Sequence, residues 1–167
     1  KELVIPALPD GSHQLDKNCL HIWPRGEYMM IALANLDGSF TCTLFFPLQG
    51  ENSFDTLKTT DQVEAFFKQT FPDAVKLMPT LLTDYFQNPT GTMIMVRCEP
   101  WNYEDKVILF GDAAHAIVPF YGQGMNCGFE DCTVFMEMFE QANGNWNGLL
   151  QAFSKQRVPD ANAILDL

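Results

Sequence analysis

The feature that most constrains this chain is a short apolar run, Val107 to Phe110, that stops at Gly111-Asp112 and is followed by a glycine cluster, Gly122-Gln123-Gly124-Met125-Asn126. The run reads as a buried parallel strand, because a strand covered on both faces carries continuous apolar residues. Beyond the glycines, Met125, Phe129, Cys132, Phe135, Met136 and Phe139 recur at helical spacing, which predicts one amphipathic helix ending before Asn143-Gly144-Asn145. A carboxylate thus lies at the end of a strand, and a glycine turn opens a helix. That arrangement suits a ligand with hydroxyl groups and an electron-rich edge. An ionised Asp112 accepts hydrogen bonds from hydroxyls, Gly111 lets backbone pass close to a ligand, and the free N–H groups of a helix start meet the electron-rich edge. The same Asp112 also reads as a cap for the turn that follows it.

Upstream, the pattern is that of an antiparallel sheet with helices. Leu3 to Ile5 is a short β run stopped by Pro6, and Leu20 to Trp23 is a strand ended by Pro24. Tyr28 to Leu33 and Phe40 to Phe46 are strands joined by a turn over Ala34 to Ser39. Alternation puts Met29, Ile31 and Leu33 on one face, and Thr41, Thr43 and Phe45 on one face; pairing through the turn sets the two groups side by side. Such a face is either sheet core or the roof over an aromatic ligand. The hydroxyl of Thr43 among apolar neighbours calls for a partner. Asp61-Gln62-Val63-Glu64 reads as a helix start running to Pro72, Ala74 to Phe86 as a second helix interrupted near Pro79, and Met93 to Cys98 as a strand. Trp146 to Arg157 is the last helix, closed by Pro159. The expected class is α+β or α/β, with a sheet domain over residues 1–100 and a second domain over residues 101–167.

Composition excludes several classes. A net charge of −11 and a pI near 4.4 argue against electrostatic binding of nucleic acid and attract no phosphate. The charged fraction, 19%, is low enough to imply apolar surface that expects a partner. Five cysteines without paired CxxC spacing read as free thiols of a reducing cytoplasm. His115 is a general base or a packed, hydrogen-bonded histidine beside the turn, and His13 and His21 are too scattered to suggest a metal site. No apolar run is long enough to span a membrane. There is no GxGxxG, since GQGMNCG has its third glycine one position late. With Lys1 first and no closing cap, the chain is expected to be an internal fragment.

The string GD-x(6)-P-x(2)-GQG-x-N-x-G-x(2)-D, Gly111 to Asp131, resembles the second FAD-binding motif of the class A flavoprotein aromatic hydroxylases. Together with Leu20 to Pro47 and the Pro119-Phe120-Tyr121 insert, it resembles their kynurenine hydroxylase branch. The resemblance implies an antiparallel substrate-domain sheet plus the C-terminal part of a Rossmann-like FAD-binding domain. It implies that Gly111, Asp112, Gly122, Gln123, Gly124, Met125 and Asn126 hold FAD, with Asp112 on the ribityl chain. It implies that Leu20, Met29, Ile31, Leu33, Thr43, Phe45, Pro119, Phe120 and Tyr121 line the substrate pocket; Tyr121 stands where other members often have Phe or His. The implied reaction is 3-hydroxylation of L-kynurenine with NADPH and O2 through a flavin C4a-hydroperoxide. No residue is assigned a catalytic role, and neither Arg25 nor Arg97 is promoted to a carboxylate-binding one. The implied partners are the aromatic substrate, O2 and the rest of a parent chain that carries the pyrophosphate site. The implied location is cytoplasmic, or the mitochondrial outer membrane for a eukaryotic parent. Another flavin aromatic hydroxylase, or a non-catalytic binding domain on the same scaffold, are the alternatives.

Overall fold

The structure, a computed structural model, describes residues 1–166. The chain divides into two compact units, residues 1–91 and 92–167. Residues 92–100, expected with the first domain, belong to the second unit. Leu167, the last residue of the second expected domain, lies outside the described residues.

The first unit is built on a four-stranded antiparallel sheet. Its strands are β1 (Glu2–Ile5), β2 (His21–Arg25), β3 (Tyr28–Ala34) and β4 (Phe40–Phe45), in the order β1-β4-β3-β2. The two expected faces lie side by side: Met29 pairs with Phe45, Ile31 with Thr43 and Leu33 with Thr41. The alternate residues Leu3, Ile5, Met30, Ala32, Phe40, Cys42 and Leu44 are fully buried. They form one core with Val63 and Phe67 of α1 (Thr60–Thr70), Phe71 and Met78 beyond it, and Leu81 and Tyr85 of α2 (Leu81–Gln87). Helices therefore cover one face of the sheet, and the Met29/Ile31/Leu33 face is the other.

Two details differ from the sequence expectation here. Pro24 does not end its strand but sits inside β2, opposite Met29. β2 is an edge strand, where a residue without an N–H is tolerated. The first helix is capped two residues earlier than Asp61-Gln62-Val63-Glu64 suggested. Thr59 is its cap, its hydroxyl accepting the Gln62 N–H while the Gln62 side chain accepts the Thr59 N–H.

The second unit is mainly helical: α3 (Asp112–His115), α4 (Gly124–Gln141) and α5 (Leu149–Leu165). Its apolar cluster joins Trp101, Ala114, Phe153, Val158 and Ala161, with Phe110, Phe135 and Met138 packed against it. The expected buried parallel strand is corrected. Only Val107–Ile108 (β6) is extended, it pairs antiparallel with Asn102–Tyr103 (β5), and Val107 is 51% exposed. No parallel neighbour flanks it among the described residues. Met93 to Cys98 likewise is not a strand, because its backbone finds no ladder; the Val96 N–H bonds singly to the Ala116 carbonyl at 3.0 Å.

The last helix also departs from expectation. It begins at Leu149 and runs through Pro159 to Leu165. The buried stripe Leu150, Phe153, Arg157, Val158, Ala161, Leu165 continues past the proline and outweighs it. Pro159 itself is exposed, as is Lys155, whose carbonyl the missing N–H would have served, so water can take its place. In α4 the packed side is Cys127, Asp131, Val134, Phe135 and Met138, whereas Met125, Phe129, Cys132 and Met136 of the predicted apolar stripe are exposed.

Candidate functional site

The Gly111 turn supplies the geometry of the site. Gly111 has φ 54° and ψ −139°, a conformation that L side chains avoid, and its carbonyl accepts the N–H groups of Ala114 at 2.8 Å and His115 at 2.9 Å. This closes α3 as a single turn. Asp112 is the first residue of that turn, not its cap; its carboxylate is exposed and accepts no hydrogen bond among the described residues.

Beside it lies a cavity of about 480 Å³, lined by Gly111, Asp112, Ile117, Pro119, Gly122, Gly124, Met125, Gly128 and Phe129. Three of those glycines open onto it: a Cβ added at Gly111, Gly122 or Gly124 would meet nothing within 4 Å. These glycines therefore leave a cradle that side chains would fill. The start of α4 points its first-turn N–H groups to the same place, and no side chain caps it. Gln123 and Asn126 are engaged locally: Asn126 Nδ2 donates to Gln123 Oε1 at 3.2 Å, and Gln123 Nε2 donates to the Tyr121 carbonyl at 3.1 Å. Phe120 and Tyr121 are exposed beside them, on a 3-10 turn started by Pro119.

Behind the turn is a buried ionic network. Asp131 of α4, fully buried, accepts three hydrogen bonds: from the Gly111 N–H at 3.2 Å, from His115 Nε2 at 2.5 Å and from Arg157 Nε at 2.9 Å. Because a carboxylate only accepts, Nε2 carries the His115 proton. Arg157, 2% exposed, also donates to Glu130 at 2.8 Å and Asp160 at 3.1 Å. Burial works against its charge, but its hydrogen bonds to Asp131 and Glu130 outweigh that and raise its pKa above the ordinary value. Burial, and then the Asp131 carboxylate, push the Cys127 thiol up as well. His115, Cys127 and Asp131 lie close enough to share an ion. Arg157 already supplies the positive charge there, donating to Asp131 and lying 3.8 Å from the Cys127 sulfur, so the cluster reads as a closed network.

In the first unit, the uncovered sheet face is apolar and open. Leu33 is 53%, Ile22 51% and Leu20 50% exposed, Met29, Ile31 and Thr43 are half-buried, and Phe45 is buried. Cross-strand pairing makes neighbours of Ile22 and Ile31, Ile31 and Thr43, and Met29 and Phe45.

The FAD binding domain family matches residues 25–167. The chain belongs to that family. It is 59% identical over all its residues to kynurenine 3-monooxygenase of Flavobacterium psychrophilum, covering 37% of that relative, and 51% identical to kynurenine 3-monooxygenase of Dictyostelium discoideum, covering 39% of it. The chain thus spans well under half the length of these relatives. Among solved structures, 2,6-dihydroxypyridine-3-hydroxylase from Arthrobacter nicotinovorans matches 99% of this chain and 48% of its own, with a TM-score of 0.61 at 13% identity, a likeness of fold.

The chemistry of the glycine cradle suits a flavin. It joins an unpaired carboxylate, a close backbone approach and a helix start in one cavity. Of the residues expected to hold FAD, Gly111, Asp112, Gly122, Gly124 and Met125 line the cavity, whereas Gln123 and Asn126 do not. Of those expected to line the substrate, Leu20, Met29, Ile31, Leu33, Thr43 and Phe45 lie in the first unit and Pro119, Phe120 and Tyr121 in the second. Sequence reasoning missed Arg157 and the role of Asp131. The available signal was one acid and one base, each alone on an otherwise apolar helical face: Cys127-Asp131-Phe135 and Phe153-Arg157-Ala161. His115 is the packed, hydrogen-bonded histidine, buried at 1% exposure.

Proposed function

We propose that this chain is the substrate-sheet and flavin-ring portion of an NADPH-dependent FAD monooxygenase that hydroxylates L-kynurenine to 3-hydroxykynurenine. The observation that carries the reading is the cavity in which Gly111, Asp112, Gly122, Gly124 and Met125 meet, in a chain so similar to kynurenine 3-monooxygenases. Bound FAD would supply the redox chemistry, taking electrons from NADPH and activating O2.

The chain's own residues bind, orient and exclude water. The Asp112 carboxylate accepts ribityl hydroxyls. Backbone N–H groups of Gly124, Met125 and Asn126 face the pyrimidine edge of the ring, where a helix start favours the negative charge of the reduced flavin. Gln123 and Asn126, whose side chains bond locally, contribute through backbone and by stiffening the turn. The open sheet face, with Leu20, Met29, Ile31, Leu33, Thr43 and Phe45, gives an aromatic substrate an apolar wall with one free-standing hydroxyl. In the second unit, Pro119 and the exposed Phe120 and Tyr121 offer an apolar turn beside the proposed flavin cavity. Such walls keep water from the reacting centre. The parent chain supplies the pyrophosphate site that these residues do not provide.

The test uses the complete protein at its relatives' length. A stoichiometric flavin band, and NADPH consumption coupled to 3-hydroxykynurenine formation across a panel of aromatic acids, are expected. A flavin band with hydroxylation of a different acid would replace the substrate; no flavin band would leave a non-catalytic domain.

A further inference from the structure

Asp131 is more than a packed charge. Its carboxylate accepts the Gly111 N–H, and both its oxygens are used: Oδ1 takes Arg157 Nε, and Oδ2 takes the Gly111 N–H together with His115 Nε2. The turn it holds is short, closed by the two N–H groups that the Gly111 carbonyl accepts. Gly111 has a backbone conformation open to glycine alone, and no side chain caps the turn it begins. The second close approach is Gly128, one helical turn before Asp131, where an added Cβ would stand 3.8 Å from the Gly111 Cα. α4 therefore brings a bare backbone and a carboxylate against Gly111 from one side, while Asp112 projects into the cavity on the other.

We infer that Asp131, oriented by Arg157, is a positioning residue for the flavin site: by accepting the Gly111 N–H it sets the turn that aims the Asp112 carboxylate at the ribityl chain. The inference rests on the FAD reading of the cavity. It assigns a role to two residues that are buried and do not line the cavity, so they act only through Gly111.

The chemistry of the carboxylate makes the idea separable from simple packing. Asp131→Asn leaves one acceptor oxygen where there were two. Arg157, charged and still bonded to Glu130 and Asp160, claims that oxygen, and the amide NH2 then faces the Gly111 N–H, donor against donor. Arg157 keeps its ion pairs with Glu130 and Asp160 and loses the one with Asp131, and the turn loses its acceptor. In the complete protein, FAD affinity of Asp131→Asn is expected to fall by roughly tenfold to a hundredfold, the scale seen when an outer-shell partner of a bound group is lost. The visible circular dichroism of the bound flavin at saturation is expected to change, with thermal unfolding of the apo-protein moved far less. Wild-type affinity and an unchanged flavin spectrum in a folded Asp131→Asn protein would overturn the inference. If that variant does not fold, the pair Asp131→Leu with Arg157→Met, which leaves neither member of the buried ion pair behind, is read by the same two outcomes. Absence of flavin from the wild-type protein would instead sink the FAD reading itself.

Discussion

Residues 1–91 bury a continuous apolar sheet face under two helices, whereas residues 92–166 gather a small apolar cluster around a buried ionic network. In the first unit the core (Met30, Phe40, Leu44, Phe67, Phe71) and the open face (Met29, Ile31, Thr43) are opposite sides of the same strands. A residue's role there is set by its parity along the strand. In the second unit there is no such separation. Asp131 supports α4 and α5 through Arg157 and, through Gly111, the turn beside the cavity. The first design lets ligand-facing positions vary without loss of fold. The second ties stability and site geometry to the same atoms.

The hardest test of that contrast compares one deletion in each core. Phe67→Ala is expected to cost about 3–5 kcal/mol by opening a cavity in the first unit. Arg157→Met is expected to cost about 3–5 kcal/mol in the second, because it strips a buried carboxylate of its ion-pair partner. Denaturant unfolding measures both. The difference lies in the rescue: adding Asp131→Leu should restore much of the Arg157→Met loss, since the uncompensated charge goes with it. No recovery would mean that Arg157 stabilises by packing, and that the two cores are alike.

Next in size are paired substitutions across a single strand. Met30→Ala removes a fully buried side chain and is expected to cost about 2–5 kcal/mol of stability. Its neighbour Met29, half-buried on the open face, should cost much less in stability and weaken kynurenine binding more than FAD binding. Phe45→Ala is expected to follow Met29 in ligand preference but also to destabilise, since Phe45 is buried. Dissociation constants for both ligands, beside unfolding curves, decide it. Equal loss of both ligands in Met29→Ala would make the open face general scaffold.

Asp112→Ala probes the reverse case, a residue of the second unit that the proposed function assigns to the ligand alone. Its carboxylate is exposed and unbonded, so stability should hold while FAD binding weakens by about 1.5–3 kcal/mol, the scale for hydrogen bonds to a charged group. Titration of the apo-protein measures it, and unchanged affinity would remove Asp112 from the site.

What the sequence disclosed follows from how local each signal is. The hairpin and its faces were legible because alternation groups Met29, Ile31, Leu33 and Thr41, Thr43, Phe45, and a short turn sets the two groups side by side. The Gly111-Asp112 and Gly122–Asn126 elements were legible because glycine needs are written in glycines. The continuous apolar run Val107–Phe110 misled, because its pattern states only that burial is wanted and not which strand provides it. Pro159 misled because helix propensity is a local preference of a few kcal/mol, overridden by the buried stripe from Leu150 to Leu165. The Asp131–Arg157 pair joins positions on two helices, and no local window contains both.

The smallest expected effect concerns the alkaline stability of the first unit. Burial pushes both the Cys42 thiol and the Tyr85 phenol up to about 12. Both lie in the apolar core of the first unit, and the Tyr85 hydroxyl finds no hydrogen-bond partner there. For an acid whose pKa is raised by folding, the folded state holds its proton where the unfolded state has lost it. The stability these groups contribute is therefore complete below their ordinary values of 9.0 and 10.0, and is lost progressively as pH climbs from there toward about 12. The first unit should thus weaken between pH 9 and 12. Tyr85→Phe should flatten that decline and, by removing a buried hydroxyl without a partner, leave neutral-pH stability unchanged or higher by about 1 kcal/mol. Unfolding midpoints of wild type and variant across that range provide the measurement. A variant that declines as steeply as wild type, or loses stability at neutral pH, would show that the Tyr85 hydroxyl is partnered in solution and that the first core is less purely apolar than its packing indicates.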